Sequence, residues 1–203
     1  MRSVNTFDPA AMLRVGLLVL CMAFSGSVHA AGFDLQALMQ QLAQVRSGQA
    51  VFVEERRVEQ LDQTLRSSGR LSFTAPDTFI RETLKPRREK LEVHGNMLTM
   101  SLGERSRTVQ LDSAPEAAVI VEAVRGTLTG NRESLERLFD ASVSGSAERW
   151  SLELVPRDLR LRGQVASVRV NGRGPAVREV QVLLADGDRS TMTIEPLPGG
   201  ATP

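Results

Sequence analysis

The chain has 203 residues, 41% hydrophobic and 24% charged, enough for one well-buried domain and short for two. Its 25 basic and 24 acidic residues leave a formal charge of +1, which excludes the basic field that nucleic-acid binding requires. One cysteine, Cys21, permits no disulfide within the chain, and two histidines leave little for a zinc centre.

Residues 1–30 differ in character from the rest. Arg14 precedes the apolar run Val15 to Phe24, and "SGSVHA" places small residues at Val28 and Ala30, predicting a signal peptide over 1–30 with cleavage after Ala30. The run falls short of the roughly 20 apolar residues of a stable anchor. Met12 is an alternative start that yields the same mature chain. The bulky Leu20 before Cys21 does not fit lipoprotein processing. Losing Arg2, Arg14 and Asp8 leaves an exported, cysteine-free chain with 23 basic and 23 acidic residues.

From Phe33 the apolar positions Leu35, Leu38, Met39, Leu42 and Val45 have helical spacing, with Asp34 as N-cap and Gly48 near the end. The period then changes to two. Strands are predicted over Ala50–Leu61, Leu65–Thr74, Thr78–Leu84, Lys90–His94, Met97–Leu102 and Arg105–Leu111, joined by turns such as "HGN" and "LGER". The centre is helical again. "APEAAVIVEAVRGTLTG" has Pro115 in its first turn and Gly130 past its end, and "NRESLERLFD" follows with Asn131 as cap. The stretch Ala117 to Val124 is apolar on more than one side and so requires cover on two faces. Strands resume over Ala141–Ser146, Trp150–Pro156, Leu159–Leu161, Gln164–Val170, Arg178–Leu184 and Ser190–Ile194, before a loose tail at 196–203. Ten or more sequential antiparallel strands close or curl rather than lie flat, and the central helices are the elements left to cover the inner face.

Motifs for chemistry are scarce. His94 is the one histidine beyond the signal segment and sits at a hairpin beside Gly95; there is no G-x-S-x-G elbow and no phosphate loop. "ADGDRS" lacks the downstream acid of a calcium loop and fits a turn, and Glu54 and Glu55 fall on opposite faces of a strand. No catalytic residue, metal ligand or cofactor site is therefore assigned. A lipid hydrolase would need both a nucleophile and a base, with His94 the base at hand.

The apolar strand positions are more informative. Leu71, Phe73, Phe79, Leu91, Val93, Leu98, Met100, Val109, Leu111, Leu152, Leu154, Val168, Val170, Val180, Val182, Met192 and Ile194 can share one face. That face is either an ordinary core under the helices or the wall of a cavity for flexible acyl chains. Pattern alone does not separate the two.

The order of motifs adds to this. An N-terminal helix, then "VFVEE", "SSGRLSFTAPDTF", "VHGNML", an apolar helix pair, "WSLELVP" and a final hairpin with "DGD" resembles the outer-membrane lipoprotein carrier (LolA-type) family, and most closely its divergent LolA-related branch. The resemblance spans Phe33 to Glu195, so residues 31–195 are expected to form one carrier domain. It implies an α+β fold, an incomplete, half-open antiparallel β-barrel of about ten or eleven strands with an N-terminal helix and a central helical lid. Phe52 and Glu54 match the family's Phe-x-Gln, Gly69 and Leu71 its Gly-x-Leu, Pro76 and Phe79 its Pro-x-x-Phe.

The implied function is a periplasmic, monomeric, non-enzymatic carrier that takes lipoproteins from an inner-membrane exporter to an outer-membrane acceptor. The alternatives are a chaperone for a glycolipid or an acylated, aryl-polyene-type pigment, and a lipid-sensing regulatory protein. The implied lipid cavity comprises Leu71, Phe73, Phe79, Leu91, Val93, Leu98, Met100, Val109, Leu152 and Leu154, and the lid Val119, Ile120, Val124, Leu135, Leu138 and Phe139. Where typical members carry an arginine that tethers the lid, this chain has Ala75. Arg81, on the next strand, is either a substitute tether or a plain surface arginine.

Overall fold

The computed structural model describes residues 33–60 and 63–198. The segment expected as a signal peptide lies outside the described residues, as do residues 199–203 of the expected tail. Asp34 Oδ1 accepts from the Ala37 amide at 2.9 Å and starts α1 (Leu35–Leu42), which buries Leu38, Met39 and Leu42. Six strands follow: β1 (Ser47–Arg57), β2 (Thr64–Thr74), β3 (Thr78–Lys85), β4 (Glu89–His94), β5 (Met97–Leu102) and β6 (Arg105–Gln110). A 3-10 turn over Leu111–Ser113 then leads into α2 (Pro115–Leu128) and α3 (Arg132–Leu138). The remaining elements are β7 (Phe139–Gly145), β8 (Trp150–Pro156), α4 (Leu159–Arg162), β9 (Val165–Arg173), β10 (Ala176–Leu184) and β11 (Arg189–Pro196).

Consecutive strands pair antiparallel in two meanders, and β1 joins them by pairing with β11 from Ala50↔Pro196 to Arg57↔Arg189. The resulting order, β6-β5-β4-β3-β2-β1-β11-β10-β9-β8-β7, is one 11-stranded sheet whose edges β6 and β7 do not pair. The fold is thus α+β, an open, incomplete antiparallel barrel, and α2 and α3 follow β6 and precede β7 in the chain.

The connection between α2 and α3 is set locally. Gly130 adopts φ 63°, and the amides of Asn131 and Gly130 donate to Gly126 O and Thr127 O at 2.9 and 3.2 Å, ending α2 in a Schellman motif. The Asn131 side chain then accepts from the Ser134 amide at 2.9 Å and starts α3.

Three expected elements differ. Leu159–Leu161 is not a strand: Asp158 Oδ1 accepts from the Arg160 amide at 2.8 Å, nucleating one helical turn, and Leu159 is left 78% exposed. Phe139, expected in the lid helix, has extended backbone and is the first residue of β7, opposite Pro156. Pro196, placed at the start of the tail, pairs with Ala50 as the last residue of β11.

The sheet's inner face is filled unevenly. Trp150, Leu152, Leu154, Val165, Val168 and Val170 pack with Leu38, Met39, Leu42, Val119, Ala123, Leu135 and Phe139 in a sealed core. A smaller cluster of Val93, Leu98 and Leu111 lies beneath Ala117, Ala118 and Val121 of α2. One face of α2 therefore closes a core, while another turns toward β1–β5.

Candidate functional site

Between those two clusters is a cavity of about 540 Å³, within the range of roughly 300–1,000 Å³ usual for small-molecule sites. Leu71 and Phe73 of β2, Phe79 of β3, Leu91 and Val93 of β4 and Leu98 of β5 form one wall. Val180 and Val182 of β10, with Met192 and Ile194 of β11, form another. Above them Ala117, Ile120, Val121, Val124 and Leu128 of α2 face inward. Phe73 and Phe79 stand opposite each other and stack, centroids 5.1 Å apart and planes inclined by 22°.

The wall becomes polar toward one end. Along β1, Gly48 and Ala50 are succeeded by Glu54 and Arg56; along β3, Phe79 by Arg81; toward the start of β11, Ile194 and Met192 give way to Ser190. Glu54 is the hub. Its carboxylate accepts from Ser190 Oγ at 2.5 Å and Ser67 Oγ at 3.1 Å, and pairs with the Arg81 guanidinium. Arg81 also donates to Ser67 Oγ at 3.2 Å and lies 4.9 Å above the Phe52 ring, while its Nε is buried with no partner. Burial works to raise the Glu54 carboxyl, but the charge of Arg81 and the bonds from Ser190, Arg81 and Ser67 outweigh it and hold the group below its ordinary 4.5. At the rim, the Glu59 amide donates to Asp188 at 3.0 Å and Arg56 pairs with it at 3.1 Å, and both bonds depress that carboxyl too.

Gly69 allows the backbone of β3 to approach β2 closely. It stands between Phe52 and Thr83 in the ladder, and a Cβ there would lie 1.9 Å from the Glu82 carbonyl oxygen.

On the helical side, Arg125 of α2 donates to the backbone carbonyl of Gly95 in the β4–β5 turn and pairs with Glu122 at 2.5 Å. This contact ties α2 to the sheet at the β4–β5 turn. A second depression beside it, of about 440 Å³, is lined by Pro76, Asp77, Arg125, Thr129, Asn131 and Ser134.

The sequence profile described as outer membrane lipoprotein carrier protein LolA-like matches residues 27–202. The chain belongs to this LolA-like family. Among solved structures it is similar to a LolA superfamily protein from Nitrosomonas europaea, at 10% identity, covering 80% of this chain and 91% of that one with a TM-score of 0.43. It is similar also to a DUF1329 family protein from Desulfovibrio piger, at 10% identity, 79% and 88% coverage and a TM-score of 0.45. The Pseudomonas aeruginosa MucA/MucB complex matches at 16% identity, with 77% of this chain, 52% of that one and a TM-score of 0.41. No curated protein sequence matches the chain.

Within this LolA-like fold the ten positions expected in the cavity separate. Leu71, Phe73, Phe79, Leu91, Val93 and Leu98 stand on its wall. Met100 and Val109 pack around Leu98 and Leu111 instead. Leu152 and Leu154 are 0% exposed and belong to the sealed core, because that face of β8 packs with side chains of α1, α2 and α3. Of the lid positions, Ile120 and Val124 overhang the cavity, Val119, Leu135 and Phe139 are buried in the core, and Leu138 packs against it. Arg81, expected as a tether, bonds to Glu54 and Ser67, both on strands, and none of its described bonds reaches a helix. The side chain of α2 that bonds across to the sheet is Arg125, which sequence reasoning missed because its partner is a backbone carbonyl distant in sequence. The polar wall was missed as well, although its signal was present: the alternation of β1 runs from Ala50 and Phe52 straight into Glu54 and Arg56. His94 is exposed, with Nδ1 2.9 Å from the Thr78 hydroxyl, on the opposite face from Val93.

Proposed function

We propose that this LolA-like protein is a periplasmic, non-enzymatic carrier that receives acyl chains in the cavity beneath α2 and shuttles lipoproteins from the inner to the outer membrane. The observation that carries the reading is the apolar cavity of about 540 Å³ under a helix tied to the sheet by Arg125. Burying a methylene is worth about 0.8 kcal/mol, so a sixteen-carbon chain is held in a membrane by roughly 12 kcal/mol. Unassisted transfer through water is then negligible, and a carrier must offer a comparable apolar surface. Flexible aliphatic and Met side chains such as Ile120, Val180 and Met192 suit a mobile chain better than a rigid ring. Direction would come from the differing affinities of donor, carrier and acceptor.

Native mass spectrometry of the protein purified from its own periplasm tests this. A bound lipoprotein supports the full reading, whereas a glycolipid or acylated pigment keeps the carrier and changes its cargo. Protein that is empty and also fails to bind a fluorescent acyl probe overturns the carrier reading altogether.

A further inference from the structure

A cavity meant only for hydrocarbon has no use for ion pairs in its wall. Taking two charges out of water costs several kcal/mol per ion, and an apolar pair of similar volume is often as stable or more so. Yet Glu54 pairs with Arg81, their side chains 16% and 27% exposed, and Asp188 pairs with Arg56, at 10% and 50%. Both carboxyls are held below their ordinary values, so all four groups are charged at neutral pH. The charges of this end balance, two guanidinium groups against two carboxylates. Arg189 adds nothing to them, because its register with Arg57 and Leu183 places it on the outer face, whereas Ser190 and Met192 face inward. Glu116, the other charge of the lining, stands in the first turn of α2 and is exposed.

Hydrogen-bonding capacity is nevertheless left on both signs. Glu54 accepts from Ser190, Ser67 and Arg81, and Asp188 from the Glu59 amide and Arg56, out of about four lone-pair sites on each carboxylate. Arg56 spends one nitrogen on Asp188 and has further N–H groups. Its side chain is half exposed, so this end of the cavity meets solvent.

We infer that the cavity takes an amphiphile with an uncharged, hydrogen-bonding head, which sits among Glu54, Arg56, Asp188 and Ser190 while the acyl chain runs past Ile194 to Phe73 and Ile120. This deepens the carrier reading and rests on it. A hydroxyl or amide both donates and accepts, so it engages carboxylate and guanidinium together and leaves each pair compensated. A head of either sign brings an unpaired charge to a site whose own charges are already matched, and it meets like charge in one member of each pair. Glycosyl heads and the glyceride and amide groups of an acylated protein terminus share this uncharged chemistry.

Displacement of the neutral fluorophore N-phenyl-1-naphthylamine by ligands of equal chain length tests the inference: 1-monomyristoylglycerol, tetradecyl glucoside, tetradecyl sulfate and tetradecyltrimethylammonium. The two uncharged ligands should displace it at concentrations about tenfold lower than either ion, a difference of about 1.4 kcal/mol. The ratio of glucoside to glycerol ester distinguishes which uncharged head fits. The stronger hydration of ions contributes to the gap, so two variants decide. Glu54→Gln leaves Arg81 uncompensated and should improve the sulfate several-fold relative to the glycerol ester. Arg56→Gln leaves Asp188 uncompensated and should do the same for the ammonium ligand; its half-exposed position keeps the test open should Glu54→Gln not fold. A wild-type preference for either ion, or an ion-to-glyceride ratio unchanged in either folded variant, overturns the uncharged-head subsite and leaves the carrier reading standing. Failure of the fluorophore and of every ligand to bind overturns both.

Discussion

Arg125 on α2 donates to the carbonyl of Gly95 in the β4–β5 turn, so the helix above the cavity carries its own tie to the sheet. The typical arrangement that the family resemblance implies has the arginine at the position of Ala75, in the β2–β3 turn of the sheet. Here donor and acceptor sides are exchanged: the helix supplies the guanidinium and the sheet a backbone oxygen.

Removing that donor should loosen α2 without dismantling the core, because Val119 and Ala123 on its other face remain buried. Arg125→Ala is expected to cost about 1–3 kcal/mol, the usual effect of deleting a charged donor to a buried acceptor. Hydrogen exchange should rise in residues 115–128 more than in α1, and acyl-probe uptake should become faster. Unchanged exchange in α2 would contradict a tethering role.

Cavity wall and sealed core should respond differently to the same substitution. Ile120→Asp places a charge beside open space and should abolish acyl-probe binding with a modest fall in Tm. Leu154→Asp buries an unpaired charge among fully covered side chains and should unfold the protein. Circular dichroism melts beside probe titrations read both effects, and equal Tm losses would remove the distinction.

Acid should weaken the fold partly through Glu54. Its folded value is depressed, so its contribution is fully present above the unfolded value near 4.5 and is lost as pH falls through the lower folded one. Urea midpoints measured from pH 7 down to pH 3 should drop over that window. Glu54→Gln should lower the midpoint at pH 7 and flatten part of the drop, the depressed Asp188 supplying some of the remainder.

Gly172 lies against the ring of Trp150, the chain's single tryptophan, and a Cβ there would sit 2.1 Å from Trp150 Cζ2. Gly172→Ala should therefore destabilise by about 1–3 kcal/mol through overpacking. Because Trp150 is also held by its Nε1 bond to Gly174 O at 2.8 Å, its fluorescence reports on this core alone. A shifted emission with a lowered urea midpoint is the expected result.

Local features of this fold were legible without a structure. Asp34 and Asn131 as caps, Pro115 opening α2 and Gly130 closing it act within a few residues, and each is realised in the backbone geometry. The helical turn at Leu159–Arg162 was not legible, since Leu-Arg-Leu satisfies a two-residue period equally well. The polar wall lay half in view: the alternation of β1 places Glu54 beside Phe52, but Ser67, Arg81 and Ser190 join it only through pairing across three other strands.

By itself the sequence determined which side chains share a face, because the alternation of a strand and the 3.6-residue turn of a helix are local rules. Tertiary structure decided what stands opposite each face. Leu152 and Leu71 have the same pattern, yet the pairing of β1 with β11 puts Leu152 under three helices and Leu71 beside empty space. The period of a strand contains no information about the distance to whatever covers it, so core and cavity became distinct only once the sheet had folded over its helices.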